Sequence, residues 1–283
     1  VDLGINYRTS IKEVKSNFTL NISHYTMKAT RLADGEAILD GNHQRLNLLA
    51  RTTEGETPGL FYGYVTDGIF QNRTEINSHS DRLGNVIQPN AQPGDFRFRD
   101  LNNDGQLTDE DRRVIGDPTP DFTFGFKVLF EYKNFDFNAL FTGSYGNDML
   151  NAAQPFLSNG GEIYNSYAGV LANAWNGEGS TNSEPRLSID DPNANFRYSD
   201  YYIEDGSYLR LQNIQLGYSF SENLKEKFGL NRARIYMSAE NVFTLTSFSG
   251  LESDIGGSAT LRGVEWGNYP IPRTLSFGLN LGF

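Results

Sequence analysis

Three observations predict an all-β fold, and within that class the wall of a transmembrane barrel built from antiparallel strands. First, the chain ends on a segment in which Leu275, Phe277, Leu279, Leu281 and Phe283 alternate without exception with Thr274, Ser276, Gly278, Asn280 and Gly282. A period of two marks a strand, and a bare apolar face opposite a small wettable one suits lipid on one side and a watery lumen on the other. Second, the composition is strand-like: 20 Phe, 15 Tyr and 29 Gly among 283 residues, with few helix-forming runs. Third, short and long connections alternate along the chain, as they do in barrels with tight turns on one side of the membrane and large loops on the other.

The chain opens in a strand pattern, with Val1, Leu3, Ile5 and Tyr7 on one face. The charged stretch 8–16 returns it, and Phe18, Leu20 and Ile22 alternate with Thr19, Asn21 and Ser23 in a second strand. Residues 28–43 are polar, 45–52 form a third predicted strand, and Glu54 to Gly59 reads as a turn. A looser alternation runs from Leu60 to Phe70. From 71 to 121 no period survives, and Asn, Asp, Arg, Gly and Pro dominate. An irregular stretch of this length is expected of a functional or external loop.

The clearest hairpin follows. Phe124, Phe126, Val128, Phe130 and Tyr132 share one face, Lys133-Asn134 turns the chain, and Phe135, Phe137, Ala139 and Phe141 share a face of the returning strand. Tyr132 and Phe135 flank the turn, where aromatics suit a membrane interface. A second long irregular stretch, 147–204, contains a predicted short helix near Tyr167 to Trp175. Strands at 208–220 and 235–240 and a third long connection, 246–272, lead to the closing strand. This makes about nine strands, and the chain as a whole, 1–283, reads as one incomplete barrel domain continuing a longer protein.

Composition removes several function classes. A net charge of -11 argues against a nucleic-acid partner, whose grip rests on Lys and Arg. With no cysteine there is no disulfide scaffold, thiolate metal site or thiol nucleophile. No run of apolar residues is long enough for a membrane helix, and a mean hydropathy of -0.49 is compatible with barrel strands, half of whose residues face water.

One segment carries metal-binding chemistry. Asp100, Asn102 and Asp104 place side-chain oxygens at positions one, three and five of a calcium-type loop, and Gly105 sits where the chain must turn sharply. Gln106 offers a backbone carbonyl, Thr108 a hydroxyl, and Asp111 the closing carboxylate. Asp111 replaces the usual Glu, which weakens calcium coordination or favours magnesium. The plainer reading of the same residues is an Asn/Asp-rich turn leading into a helical turn capped by Thr108. His24, His43 and His79 lack ligand spacing. Asp190-Asp191 and Glu204-Asp205 read as solvated loop acids rather than a glycosidase pair, and no catalytic constellation accompanies them. Tyr164, Tyr167, Trp175, Trp266 and Tyr269 are read as internal packing of large loops, with sugar stacking or a partner protein as the alternative.

The blocks Gly63-Tyr64-Val65-Thr66-Asp67-Gly68-Ile69-Phe70, Pro93-Gly94-Asp95, Asp100 to Gly105, Ile115 to Phe122 and Gly143 to Asp148 resemble the SusC/RagA-type TonB-dependent outer-membrane transporters. So do Glu204 to Asn213, Ala239 to Phe243 and the terminal Phe283, in the same order over nearly the whole chain. The resemblance implies a barrel of about 22 strands, of which these residues are the C-terminal part, roughly two fifths on a nine-strand count. It implies a bacterial outer-membrane location, no enzymatic activity, and import of oligosaccharide, sometimes peptide. It also implies a SusD-like surface lipoprotein over the loops and a TonB complex engaged through an N-terminal plug region that these residues do not include. Phe277, Leu279, Leu281 and Phe283 would then be the signal read by the outer-membrane assembly machinery. A passive porin, and a secreted β-sandwich that binds sugar through a calcium loop, are the two alternatives; the unequal connections speak against the sandwich.

Overall fold

A computed structural model describes residues 1–42, 46–158 and 164–283. Its largest element is a seven-stranded sheet whose strands neighbour one another in chain order: Asp2–Ile11, Val14–Ser23, Phe122–Tyr132, Phe135–Tyr145, Tyr208–Ser219, Arg232–Thr246 and Thr274–Gly282. Every pairing in it is antiparallel. The two outermost strands each pair with a single neighbour among the described residues.

Seven strands, not nine, build this wall. The stretches expected as the third and fourth strands leave it. Ala50–Thr52 and Leu60–Gly63 instead join Ile38–Asp40 and Arg113–Gly116 in a separate four-stranded sheet. The reason is visible in burial. Phe61 is fully enclosed, whereas the wall strands leave apolar side chains such as Leu3, Ile5, Met237 and Phe277 exposed on one face. With this correction the connections alternate strictly. Short links at 12–13, 133–134 and 220–231 separate long ones at 24–121, 146–207 and 247–273.

Register explains the smooth outer face. Phe137 lies opposite Leu216, Leu216 opposite Met237, and Met237 opposite Phe277. At the next level Phe135, Tyr218, Ile235 and Leu279 form a parallel row. Because the side-chain period is two, each row stays on one face across several strands. Phe277 is 75% exposed. A sandwich would require a second sheet against this face, and among the described residues none lies there. The aromatics gather at both ends of the Phe-rich hairpin: Phe122 stacks on Tyr145, and Phe135 packs on Tyr218. Strands of 11 residues at the usual rise and tilt span about 25 Å, the height of a barrel's apolar band. No helix among the described residues is long and apolar enough to cross a membrane.

The opposite face is polar and sparsely filled. The ring of Tyr236 covers Gly278, whose opposite number it is, and any Cβ there would collide with the ring. Arg234 reaches over Gly217 to Asp136 two strands away, Nε donating to Oδ2 at 2.9 Å. A Cβ at 217 would meet the ends of both side chains, so a larger residue there has to displace the pair.

Most of the buried core lies beyond the wall. Leu46, Leu49, Phe61, Leu150, Phe156, Tyr198, Tyr202 and Val264, drawn from all three long connections, form one apolar cluster. Ile69, Phe96 and Phe98 form a second. The long connections therefore fold together as a cap at one end of the sheet. They carry short sheets of their own, a helix at Arg73–Ser78 and, as the sequence predicts, a short helix at Val170–Asn173.

The two faces of the closing strand should respond oppositely to charge. Phe277→Lys in the full-length protein is expected to cost about 2–4 kcal/mol in lipid vesicles, while Ser276→Lys, on the watery face, is expected to be tolerated. Denaturant unfolding in vesicles measures both; equal losses would contradict the assignment of faces.

Candidate functional site

Asp100–Asp111 folds as a tight polar loop organised by its own side chains. Asp100 accepts hydrogen bonds from the backbone N–H of Asn103 at 2.7 Å and of Gly105 at 2.8 Å. Asn102 Oδ1 accepts from Asp104 N at 3.0 Å, and Asp104 Oδ1 from Gln106 N at 2.8 Å. These are successive Asx turns, in which a short polar side chain stands in for a backbone carbonyl. Gly105 has φ +82 and an added Cβ would lie 2.7 Å from Asp81 Cβ, so conformation and space both demand glycine.

Asp111 is fully buried and ties the two ends of the loop together. One oxygen accepts from Leu101 N and the other from Thr108 N, each at 2.8 Å. Thr108 caps the 3-10 turn Asp109–Asp111 in a capping box with Asp111. The plainer sequence reading thus describes this part of the loop well. The donor set remains all oxygen, and each carboxylate oxygen that accepts one N–H keeps a second lone pair. The amide nitrogen of Asn102 lies between Asp104 Oδ2 at 3.0 Å and Glu110 Oε2 at 3.2 Å, the place where positive charge is wanted. Among the described residues no three His, Cys, Asp or Glu side chains converge as a ready-made metal cluster.

The loop is braced by aromatic and basic neighbours. The Tyr64 hydroxyl donates to Asp109 at 3.0 Å, and burial together with that carboxylate raises the phenol to about 12. Arg112, itself nearly buried, donates to the carbonyls of Leu48 and Tyr62 and lies over both the Tyr62 and Tyr64 rings. His79 hydrogen-bonds the Phe98 carbonyl at 3.1 Å, and burial lowers its basicity. His24 contacts the Asp121 carbonyl. His43 lies outside the described residues.

A node that the sequence did not single out joins the first two long connections. Asp95 is fully buried and receives Arg186 Nε at 2.6 Å, Asn195 Nδ2 at 2.9 Å and Gln92 N at 2.9 Å. Asn193 and Gln88 extend the network to the Phe96 carbonyl. The partners sit about a hundred residues apart in sequence, so only the turn-forming Pro93-Gly94-Asp95 was a legible signal. The paired acids serve as loop caps: Asp191 accepts from Asn195 N and Phe196 N, and Glu204 from Ser249. Of the loop aromatics, Trp175 and Trp266 pack on the apolar clusters and Tyr164 packs on Phe156, while Tyr269 is 90% exposed.

No protein-family model matches the chain. It is 34% identical over 275 residues to TonB-dependent receptor P3 of Formosa agariphila, covering 93% of this chain and 26% of that protein. It is 29% identical over 199 residues to the TonB-dependent receptor SusC of Bacteroides thetaiotaomicron, covering 70% of this chain and 18% of that one. Against a structure of the RagAB peptide transporter it superposes with a TM-score of 0.77 at 21% identity, covering 100% of this chain and 28% of the other; this shows a shared fold. The chain thus spans about a quarter of the length of the P3 receptor and of the RagAB chain it matches, less than the two fifths expected from nine strands.

Removing the charge of Asp95 leaves the half-buried Arg186 without its partner and breaks the buried end of the pair. Asp95→Asn is expected to cost the cap about 3 kcal/mol while the wall still assembles. Limited proteolysis should then cut within 71–121 and 181–197 much faster than in the wild type, with unchanged heat-dependent gel mobility of the barrel.

Proposed function

Because the chain belongs to the SusC/RagA-type TonB-dependent receptor family of the bacterial outer membrane, we propose that it supplies part of the barrel wall and outer cap of a nutrient importer, with oligosaccharide as cargo. The observation that carries this reading is the strict alternation of short and long connections around strands whose outward rows are apolar. The long connections, including 71–121 and 147–204, are placed on the extracellular side, where the cap can meet a SusD-like lipoprotein. Energy for transport comes from a TonB complex acting on a plug, outside the residues described. The chain's own part is that of rigid wall and lid seat, with no catalytic step. Peptide is the second cargo class, favoured by the likeness to the RagAB peptide importer. A passive porin fits less well, since the relatives are named as TonB-dependent receptors.

Two further roles complete the proposal. Phe277, Leu279, Leu281 and Phe283 form the outward row at the chain's end, which the assembly machinery reads. Asp100, Asn102, Asp104, Gln106, Thr108 and Asp111 hold calcium, or magnesium, as a brace for the cap. The oxygen-only donors and the tight turn at Gly105 support it; a bound cation would displace the Asn102 amide from between Asp104 and Glu110. It acts on loop order, not on cargo.

Uptake of labelled oligosaccharides and peptides by cells carrying the full-length gene tests the main reading. Uptake of one class should vanish on deletion of this gene or of TonB. Uptake that persists without TonB would point to a passive pore. For the brace, calcium should slow proteolysis of 71–121 in the wild type and do so far less in Asp104→Asn; no heat on calcium titration and no protection would remove it.

A further inference from the structure

Of the three links on the short-turn rim, one is out of scale. Residues 12–13 and 133–134 turn the chain in two residues, whereas 220–231 takes twelve and folds half of them into a helix, Glu222–Lys227. Both ends of this link are held at the level of the rim. Asn134 Nδ2 donates to the Ser219 carbonyl at 2.6 Å and Ser219 N to the Asn134 carbonyl at 2.8 Å, which fastens the start to the neighbouring tight turn. Asn231 N donates to the Gly282 carbonyl at 2.8 Å, which fastens the end to the closing strand.

The helix closes in a Schellman motif. Gly229 takes φ +64, Leu230 N donates to the Lys225 carbonyl at 2.9 Å, and Gly229 N to the Glu226 carbonyl at 3.1 Å. Around the axis the residues sort by character. Leu224 and Phe228 lie four apart and share one face, while Glu222 and Glu226, also four apart, share the opposite one. At about 100° per residue, Lys225 and Lys227 fall on the two flanks between these faces. Leu224 and Phe228 are both exposed, Phe228 by 66%. Two bare apolar side chains between two lysines gain nothing in water. They suit the plane where lipid headgroups meet acyl chains. There an apolar helix face sinks about 5–10 Å, and lysine stems let their ammonium groups reach back to phosphates.

The lipid-facing surface of the wall leads into this link. Phe220 lies two residues beyond Tyr218 of the outward row, and the two rings meet edge to face at 5.5 Å between centroids. Phe220 N donates to the Ala233 carbonyl at 3.0 Å, and Ala233 lies opposite Leu281. Phe220 and Leu281 thus end the outward face at this corner, with Phe220 directly before the helix-capping Ser221. Phospholipid is therefore already the neighbour of the residue from which the helix starts.

We propose that the link 220–231 is an interfacial anchor: Leu224 and Phe228 lie in the phospholipid surface at the short-turn rim, and Lys225 and Lys227 meet its phosphates. That this is the periplasm-facing leaflet rests on the reading that the long connections face the outside of the cell.

The test places a single nitroxide on the full-length protein, in a cysteine-free background, in vesicles of phosphatidylethanolamine and phosphatidylglycerol. It compares collisions with oxygen, which collects in lipid, and with a neutral nickel chelate, which stays in water. Phe228→Cys and Leu224→Cys carry the label in turn, with Phe277→Cys as the lipid-facing reference and Glu226→Cys as the water-facing one. The oxygen-to-nickel ratio at 228 and 224 should approach that at 277 and lie several-fold above that at 226. Ratios at 228 and 224 equal to that at 226 would overturn the anchor. Labels that stay in water and are immobilised only on adding TonB would also overturn it, and would give the face to a protein. Heat-dependent gel mobility checks that each variant assembles; should Phe228→Cys fail, Leu224→Cys decides. The ratio reads depth rather than side. A failed test therefore leaves the orientation of the barrel untouched, and an inverted barrel would move the anchor to the other leaflet with the ratios unchanged.

Discussion

Backbone N–H and C=O groups that face hydrocarbon must be paired inside the protein, and the whole structure follows from that requirement. It leaves only paired strands in the wall. It expels every irregular residue to the two rims. On one rim the links are as short as two residues, with Lys12 and Lys133 in the left-handed region. On the other the chain makes three long excursions before re-entering. The wall strands have lipid instead of a core on their apolar face, so the chain's burial is concentrated in those excursions.

The cap therefore behaves as a small globular assembly carried on a sheet. Its apolar clusters draw on all three connections, and the ion pair of Asp95 with Arg186 links the first to the second. The third connection is tied in through Glu204 and Ser249, and through Arg210 of the wall, which binds Glu252 and Asp254. Buried charges of this kind add little net stability when paired but exclude alternative arrangements.

The wall was legible in the sequence because its code is local. Leu275 to Phe283 alternates strictly, Phe122 to Tyr132 and Phe135 to Phe141 alternate with Leu129 and Leu140 as the exceptions, and the structure pairs them residue by residue. The two supposed strands near 45–52 and 60–70 misled for the same reason. Alternation states that a segment is a strand, not which sheet it joins, and Phe61 points into the cap cluster rather than toward lipid. The turn chemistry at Asp100–Asp111 was also readable, because Asx turns and caps act over two to five residues. The node at Asp95 was not, because its partners come from distant segments. Gln212 and Asn241 mark where the wall ladder slips register, Asn241 with φ +52, and no periodic pattern shows such a slip in advance.

The pair Asp136 and Arg234, reaching over Gly217, has a mechanical meaning. It joins strands that are not neighbours, so it resists sliding as well as separation. A slip of one strand by a residue pair would move its partner about 7 Å, well beyond ion-pair reach. The same pair sits beside the ring of Tyr236, which is itself seated on Gly278 of the closing strand. The last four strands are thereby pinned near the short-turn rim like a riveted plate. Any tug exerted on the lumen side there is shared across the plate instead of peeling away the final strand.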